Sequence, residues 1–327
     1  MKNRTPVAVV GMGGVFPRAS DLHTFWQNIV SKTPTVSEVP EGRWIVPPDA
    51  MFHPEPMPDR AFSKRACLVG EDFAFDPDGF ALNASLIREL DPLYHMVLYA
   101  GQAAFRDCVT GPVNRDRIGV ALAAIALPTD SASFLCREIL GPALLRRLFG
   151  ESAESGKKPS LSRNQCLSAR VTSLPGAILA KALGLGGGSF TLDAACASSL
   201  YAVKLACDEL QSGRADAMLA GGVSRPECLY TQVGFSQLRA LSPSGICAPF
   251  DRILTVWWWE KGAGILVLKR LEDALAHGTK FGQYSHRGIG LSNDVRERRY
   301  LRLIPGTGSG HACDMIAGLS PNVHGFD

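Results

Sequence analysis

Apolar residues follow two alternating patterns along this chain, and together the patterns predict strands that alternate with helices. Short apolar runs predict buried strands, at Val7–Val10, Ile118–Ile125, Phe190–Leu192, Ala217–Ala220 and Ile265–Leu268. Apolar positions that recur every three or four residues predict helices, at Asp21–Val30 with Ser20 as its cap, Leu93–Cys108 and Ala197–Ser212. This alternation predicts a layered α/β fold.

A thiol lies at the predicted junction between the third strand and the helix that follows it. Cys196 comes four residues after Phe190–Leu192 and just before Ala197–Ser212. Free N–H groups and the macrodipole at a helix N-terminus favour a thiolate, which is the nucleophilic form. A nucleophile on such an elbow suits acyl transfer, because nearby N–H groups face the reacting carbonyl. The alternative is that Cys196 is a small buried apolar residue, as most cysteines are.

Composition narrows the class of protein further. A chain of 327 residues that is 46% hydrophobic can bury a large core. A net charge of +3 gives no argument for binding nucleic acid. Nine cysteines without a Cys-x-x-Cys pair argue against a disulfide framework or a zinc site. A reducing compartment suits a reactive thiol, so we expect a cytoplasmic protein.

Targeting and membrane segments are not expected either. Met1 to Pro6 shows no signal-peptide pattern. The longest apolar run near the middle, Val120 to Leu127, is too short to cross a membrane and predicts a buried strand.

The segment around Cys196 resembles the active-site signature of the β-ketoacyl synthase family, the condensing enzymes of fatty-acid and polyketide assembly. The family's Asp-Thr-Ala-Cys-Ser-Ser run is matched by Asp193-Ala194-Ala195-Cys196-Ala197-Ser198-Ser199. The opening, with Gly42-Arg43-Trp44, is most similar to multidomain type I polyketide or polyunsaturated-fatty-acid synthases. Further motifs match in order, at Val7–Pro17, Phe25–Ile29, Phe73–Pro77, Asp91-Pro92, Asp216–Val223, Leu241–Gly245 and Pro249–Asp251.

The resemblance implies a thiolase-like fold, layered as helix, sheet, helix, sheet, helix (αβαβα). Residues 5–251 would form the N-terminal half, complete and containing the nucleophile elbow. Residues 252–295 would be a partial, locally disrupted start of the C-terminal half, with matches at Gly262 to Gly278 and Gly288 to Val295. Residues 296–327 match nothing in the family and are interpreted as a frameshifted tail of a truncated chain.

The resemblance also implies a mechanism. The Cys196 thiolate would take an acyl group from the phosphopantetheine thioester of an acyl carrier protein, with its own backbone N–H as one oxyanion donor. Malonyl-carrier protein would then lose CO2 and attack the acyl-cysteine. If Cys196 is not the nucleophile, Cys207 and Cys247 are the next candidates. We expect no bound cofactor and no metal. The expected partners are the carrier protein and a second copy in a homodimer, without nucleic acid or membrane.

Two histidines that the family uses for condensation are not found. Their His-Gly-Thr-Gly-Thr and Asn-Ala-His motifs are absent, as is the Gly-Phe-Gly-Gly loop that supplies the second oxyanion donor. In Pro305–His311 the histidine follows the glycines instead of preceding them, so His311 receives no catalytic role. His23, His53 and His95 lie in ordinary helix or loop contexts. We therefore expect acylation at best, without condensation.

A tryptophan run marks the first disrupted stretch. The family expects Asp-Gly-Leu-Val-Val-Gly-Glu where this chain has Trp257-Trp258-Trp259. Tryptophan has the single codon TGG, and TGGTGGTGG shifted by one base encodes Val-Val. The hypothesis is a local frameshift that closes near Gly262, with a second disruption at Lys280 to His286. The alternative is an exposed apolar patch that contacts a membrane or a partner.

Three further interpretations stay open. The chain could be a non-catalytic ketosynthase remnant that binds carrier protein or a like subunit. It could be a pseudogene product that does not fold, because missing strands leave open sheet edges. A dinucleotide-binding protein is the third, since Gly11–Phe16 follows a strand and half-resembles the required turn. Against it, Phe16 replaces the third glycine of that turn.

Overall fold

The computed structural model describes residues 5–44, 46–55, 57–69, 75–108, 114–127, 132, 136, 140–150, 174–225, 228–238, 241–242, 261–277 and 285–286. The strands are β1 Val7–Val15, β2 Ser37–Glu38, β3 Arg65–Ala66, β4 Ile118–Ala124, β5 Ser189–Leu192, β6 Ala217–Ser224, β7 Gly262–Arg270 and β8 Ser285–His286. The α-helices are α1 Leu22–Val30, α2 Pro48–Met51, α3 Ala84–Arg88, α4 Pro92–Asp107, α5 Gly141–Phe149, α6 Pro175–Ala182, α7 Ser198–Gln211, α8 Leu229–Gln237 and α9 Leu271–Ala276.

A six-stranded mixed sheet in the order β5-β4-β6-β7-β1-β8 organises these elements. β4 runs parallel to β5 on one side and to β6 on the other, whereas β7 is antiparallel to β6 and to β1. Every residue of β4 is buried, as is typical of a parallel strand covered by helices on both faces. The five strands predicted from the sequence are all present, which confirms the predicted α/β architecture.

Helices cover both faces of the sheet. α4 and α6 contribute to the larger core cluster on one face, with Tyr94, Leu98 and Leu179 fully buried. α7 packs on the other face, where Ala202, Ala206 and Leu210 are buried. A third, smaller cluster joins β2, β3 and α8 through Val39, Trp44, Ala61 and Ala66 with the partly buried Leu229 and Val233.

Strand β1 extends five residues beyond its predicted end, through the whole glycine run. A Cβ atom on Gly13 would lie 2.2 Å from the Ala100 carbonyl oxygen and 2.4 Å from the Ala104 nitrogen. The run therefore allows α4 to lie directly on β1. Dinucleotide binding needs these glycines at a turn between strand and helix. The interpretation of the chain as a dinucleotide-binding protein is therefore wrong.

The cap of α1 also differs from the prediction. Asp21, not Ser20, caps the helix, because its Oδ1 accepts the Thr24 N–H at 2.7 Å. This bond lowers the pKa of Asp21. The Ser20 carbonyl oxygen instead accepts the Tyr99 hydroxyl at 2.7 Å, which ties the start of α1 to α4.

A buried ion pair joins α4 to the end of β6. Asp91 caps α4 by accepting the Leu93 N–H at 2.9 Å, and its carboxylate lies 3.3 Å from Arg225 Nη1. The two side chains are 0% and 8% exposed. Removing either side chain would leave the other as an uncompensated buried charge, which destabilises the fold.

Some of the predictions concern residues outside the described ones. They include Trp257–Trp259, Cys247, His311 and the whole of 296–327. The predicted boundaries at 251 and 295 therefore stay predictions. Directly after the tryptophan run, Gly262–Arg270 forms β7 in the interior of the sheet, paired with both β6 and β1.

Gly13→Ala should destabilise the protein, because its new methyl group would push α4 away from β1. Overpacking of this kind costs about 1–3 kcal/mol. Urea denaturation measures the effect. Gly188→Ala is the matched control, since a Cβ there meets no atom within 4 Å. Equal unfolding free energies for the two variants would contradict the close approach.

Candidate active site

The parallel strands β5, β4 and β6 have their carboxyl ends at the same end of the sheet. α6 precedes β5 in the chain and packs on one face of the sheet, whereas α7 lies between β5 and β6 and packs on the other. A crevice opens outside the strand ends where successive connections take opposite faces, and such crevices are the usual ligand sites of open α/β sheets. Cys196 follows β5 at this end of the sheet.

The predicted strand, turn and helix around Cys196 are confirmed. β5 ends at Leu192, one turn of 3-10 helix covers Ala195–Ala197, and α7 begins at Ser198, one residue later than predicted. The Cys196 thiol is exposed. The alternative of a small buried residue at this position is therefore wrong.

Hydrogen bonds within the turn hold an unfavourable backbone conformation. Ala195 has φ +50°, a left-handed conformation that costs a residue with a side chain about 1–2 kcal/mol. The buried Ser198 hydroxyl donates to the Ala195 carbonyl oxygen at 2.6 Å and accepts the Ala194 N–H at 2.8 Å. A single side chain thus satisfies two backbone groups of the turn.

Asp193 links the turn to the neighbouring strand. Its Oδ1 accepts the Ala195 N–H and its Oδ2 accepts the Ala126 N–H, each at 2.9 Å. Ala126 lies two residues after β4, whose Ala123 pairs with Leu192 of β5. Both carboxylate oxygens are therefore engaged by backbone N–H groups of separate segments.

The positive end of α7 faces this turn without a charged or capping side chain. No side-chain cap and no acidic residue occupy its first turn. Among the described residues, the bonds that hold the turn use the N–H groups of Ala194, Ala195 and Ala197, not the N–H of Cys196. The arrangement combines an exposed nucleophile with an N–H donor and a helix N-terminus, all of which favour developing negative charge.

Four of the other five described cysteines are buried, unlike Cys196. Burial raises the pKa of both Cys207 and Cys108 to about 11, so these thiols are protonated at neutral pH. Cys136 is exposed, as Cys196 is. The burial of Cys207 argues against it as the alternative nucleophile that the sequence suggests.

His23, His53 and His95, which the sequence places in ordinary contexts, lie in separate settings. His95 stacks on Phe75, with ring centroids 4.9 Å apart, and bonds to the Ile87 carbonyl oxygen. Burial lowers the pKa of His95. His53 Nδ1 lies 2.8 Å from the Glu55 carbonyl oxygen, and His23 is exposed on α1.

Among the described residues, no cluster of three or more His, Cys, Asp or Glu side chains could hold a metal ion. None of the described helices is long and apolar enough to span a bilayer.

Comparison with known families decides the class of protein. Residues 4–274 match the family model of the β-ketoacyl synthase N-terminal domain. The chain belongs to the β-ketoacyl synthase family. Members of this family are acyltransferases that act as condensing enzymes in polyketide synthesis.

Relatives of this β-ketoacyl synthase family member are polyketide synthases. One subunit of the phenolphthiocerol/phthiocerol polyketide synthase from Mycobacterium tuberculosis is 32% identical over 317 residues, which cover 95% of this chain and 19% of the relative. The mycocerosic acid synthase-like polyketide synthase of Mycolicibacterium smegmatis is 30% identical, over 84% of this chain and 12% of that protein. The chain thus spans about a fifth or less of the length of these relatives.

Solved ketosynthase structures share the fold. The PfaC keto synthase-chain length factor superposes with a TM-score of 0.76 at 32% identity, over 85% of this chain and 30% of that one. A ketosynthase from module 6 of the bacillaene synthase of Bacillus subtilis superposes with a TM-score of 0.65 at 25% identity, over 84% of this chain and 42% of that one. The predicted thiolase-like fold is confirmed.

The sequence signature contained Asp193 and Ser198 but did not reveal what they do. Their bonds reach backbone groups whose positions depend on the turn and on the register of β4 with β5. The only signal was an acidic residue and a hydroxyl residue on either side of the thiol. Such residues are common in turns and at helix starts of every kind, so their presence does not single out a role.

Ser198→Ala should destabilise the protein by about 1–3 kcal/mol, because the Ala194 N–H and the Ala195 carbonyl would both lose a buried partner. The free energy of unfolding in urea measures the loss. Ser199→Ala is the matched control, since Ser199 is exposed and adjacent. A loss of equal size in both variants would show that the Ser198 bonds are not responsible.

Proposed function

We propose that this chain accepts acyl groups on Cys196 from phosphopantetheine thioesters, the first half-reaction of a β-ketoacyl synthase. The observation that carries the proposal is the exposed Cys196 thiol on a strand-to-helix turn at the carboxyl ends of parallel strands. Family membership supports it, because the family's enzymes transfer acyl groups through this kind of site.

The proposed transfer uses the turn in two ways. The Cys196 thiolate attacks the thioester carbonyl carbon, so that a new C–S bond forms and the oxygen gains negative charge. The Cys196 N–H and the N-terminus of α7 stabilise that charge. When the intermediate collapses, the bond to the phosphopantetheine sulfur breaks, and this sulfur leaves with the electron pair. Covalent catalysis thereby divides one difficult reaction into two easier steps.

The second half-reaction, condensation with malonyl-carrier protein, needs groups that the sequence motifs do not supply in this chain. The family's two histidine motifs are absent from its sequence. We propose that the chain by itself is limited to acyl transfer. The Gly-Phe-Gly-Gly loop that supplies the family's second oxyanion donor is also absent from the sequence. Loss of a single oxyanion donor typically costs about 100- to 1,000-fold in rate, so we expect acyl transfer to Cys196 to be slow.

We further propose that the acyl donor is an acyl carrier protein and that the chain forms a homodimer. Polyketide synthase relatives support a carrier protein as the partner. β5 supports the dimer, because it is the end strand of the sheet and its outer edge pairs with no described strand. Such an edge can pair with a second copy of the same strand.

Cys196→Ser should abolish covalent labelling by an acyl-pantetheine thioester, because a serine hydroxyl without a neighbouring base is a much weaker nucleophile than a thiolate. Mass spectrometry of the intact protein and of its peptides measures the acyl adduct. Cys136→Ser is the matched control, since it removes the other exposed thiol described. Acylation that persists in Cys196→Ser would place the nucleophile elsewhere. Carrier protein bound without any acylation would favour the non-catalytic remnant.

Ser189→Lys should shift the proposed dimer towards monomer, because a lysine on an edge strand disfavours pairing of that edge with another strand. Sedimentation equilibrium should give twice the chain mass for the unmodified protein and a lower average mass for this variant. Gln27→Lys, an equal change at an exposed position of α1, serves as the control. A monomer at all concentrations would refute the dimer.

A further inference from the structure

Asp193 joins the nucleophile turn to the segment that follows β4, through both of its carboxylate oxygens. The partners are the Ala195 N–H and the Ala126 N–H, each at 2.9 Å. Charge-assisted bonds of this kind are about twice as strong as neutral ones. The carboxylate therefore has a defined orientation although the Asp193 residue is exposed.

The bond to Ala195 acts on the residue whose backbone directs the next N–H group. The peptide between Ala195 and Cys196 is planar, so its carbonyl oxygen and the Cys196 N–H point in opposite directions. Ser198 holds that carbonyl oxygen at 2.6 Å, and Asp193 holds the nitrogen of Ala195. Together they fix the direction of the Cys196 N–H.

The left-handed conformation of Ala195 makes this restraint necessary. A strained backbone persists only where the surrounding structure imposes it. Without Asp193, φ of Ala195 could relax from +50°, and the Cys196 N–H would turn with it. The link to Ala126 would be lost at the same time, which would free the turn from β4.

We propose that Asp193 is a positioning residue for acyl transfer, which aims the Cys196 N–H at the developing oxyanion. The inference rests on the proposed function of Cys196. It goes beyond that function because it assigns a role to a side chain that acts through two backbone N–H groups, those of Ala195 and Ala126.

A purely electrostatic role for Asp193 would have the opposite effect. If Asp193 acted only through its negative charge, removing that charge would make the Cys196 thiol more reactive towards every electrophile. If Asp193 positions the N–H, its removal should slow acyl transfer even though the thiol itself reacts as fast as before, or faster.

Asp193→Asn tests these alternatives, because it keeps the size of the side chain and removes one acceptor oxygen and the charge. Two rates at Cys196 are compared across pH: acylation by an acyl-pantetheine thioester, which forms an oxyanion, and alkylation by iodoacetamide, which does not. We expect acylation to fall about 10- to 100-fold, part of the cost of losing a donor. Alkylation should be unchanged or faster.

Asp76→Asn is the matched control, since Asp76 likewise accepts a backbone N–H, that of Asp78 at 2.9 Å, outside the turn. Both of its rates should equal those of the unmodified chain. A parallel fall of acylation and alkylation in Asp193→Asn would overturn the proposal in favour of a general structural role. An unchanged acylation rate would overturn it as well.

Amide hydrogen exchange separates this inference from the proposed function. Asparagine keeps one acceptor oxygen, so in Asp193→Asn at least one of the Ala195 and Ala126 amides should exchange about 10-fold faster, as expected when a protecting hydrogen bond is lost. If the unmodified chain is alkylated but never acylated, the proposed function fails. Whether or not the chain is acylated, unchanged exchange at both amides would refute the restraint of the turn by Asp193, whereas faster exchange would support that restraint.

Discussion

The register between β4 and its two parallel neighbours is the constraint on which the candidate site depends. Ala123 pairs with Leu192 of β5 and with Gly222 of β6, so all three strands end at the same edge of the sheet. A parallel sheet requires crossover helices, and here these take opposite faces. The position of the turn at Cys196 follows from that arrangement. A shift of one residue would also move Ala126 away from Asp193.

Close packing keeps this sheet in place. The glycines of β1 allow α4 to contact the strand backbone, which positions the helix over the middle of the sheet. Asp91 then joins the start of α4 to Arg225 at the end of β6. Since an unpaired buried charge is costly, the pair favours a single relative position of helix and strand. The carboxyl ends of the strands thereby form a stable base for a turn that is itself strained.

The turn is stable because its backbone groups have partners. Ser198 and Asp193 together bond to four backbone groups around Cys196. Their combined hydrogen bonds offset the cost of the left-handed Ala195, since each contributes about 0.5–1.5 kcal/mol or more when charged. The exposed thiol is therefore held on a rigid support, a requirement for groups that must meet a substrate with defined geometry.

The sequence alone determined the class of fold, the five main strands and the location of Cys196 between a strand and a helix. Those features depend on local periodicity and on a short signature, which one chain displays directly. The end of β1, the cap of α1, the Asp91–Arg225 pair and the roles of Asp193 and Ser198 required the tertiary structure. Several of them depend on which distant segments meet: Gly13 on α4, Asp91 on Arg225, and Asp193 on Ala126. The Asp21 cap and the Ser198 bonds are local, but they depend on the backbone conformation of their turns. Residue spacing along the chain carries no information about the distant contacts, because they arise only when the strands pair in register and the helices pack on them.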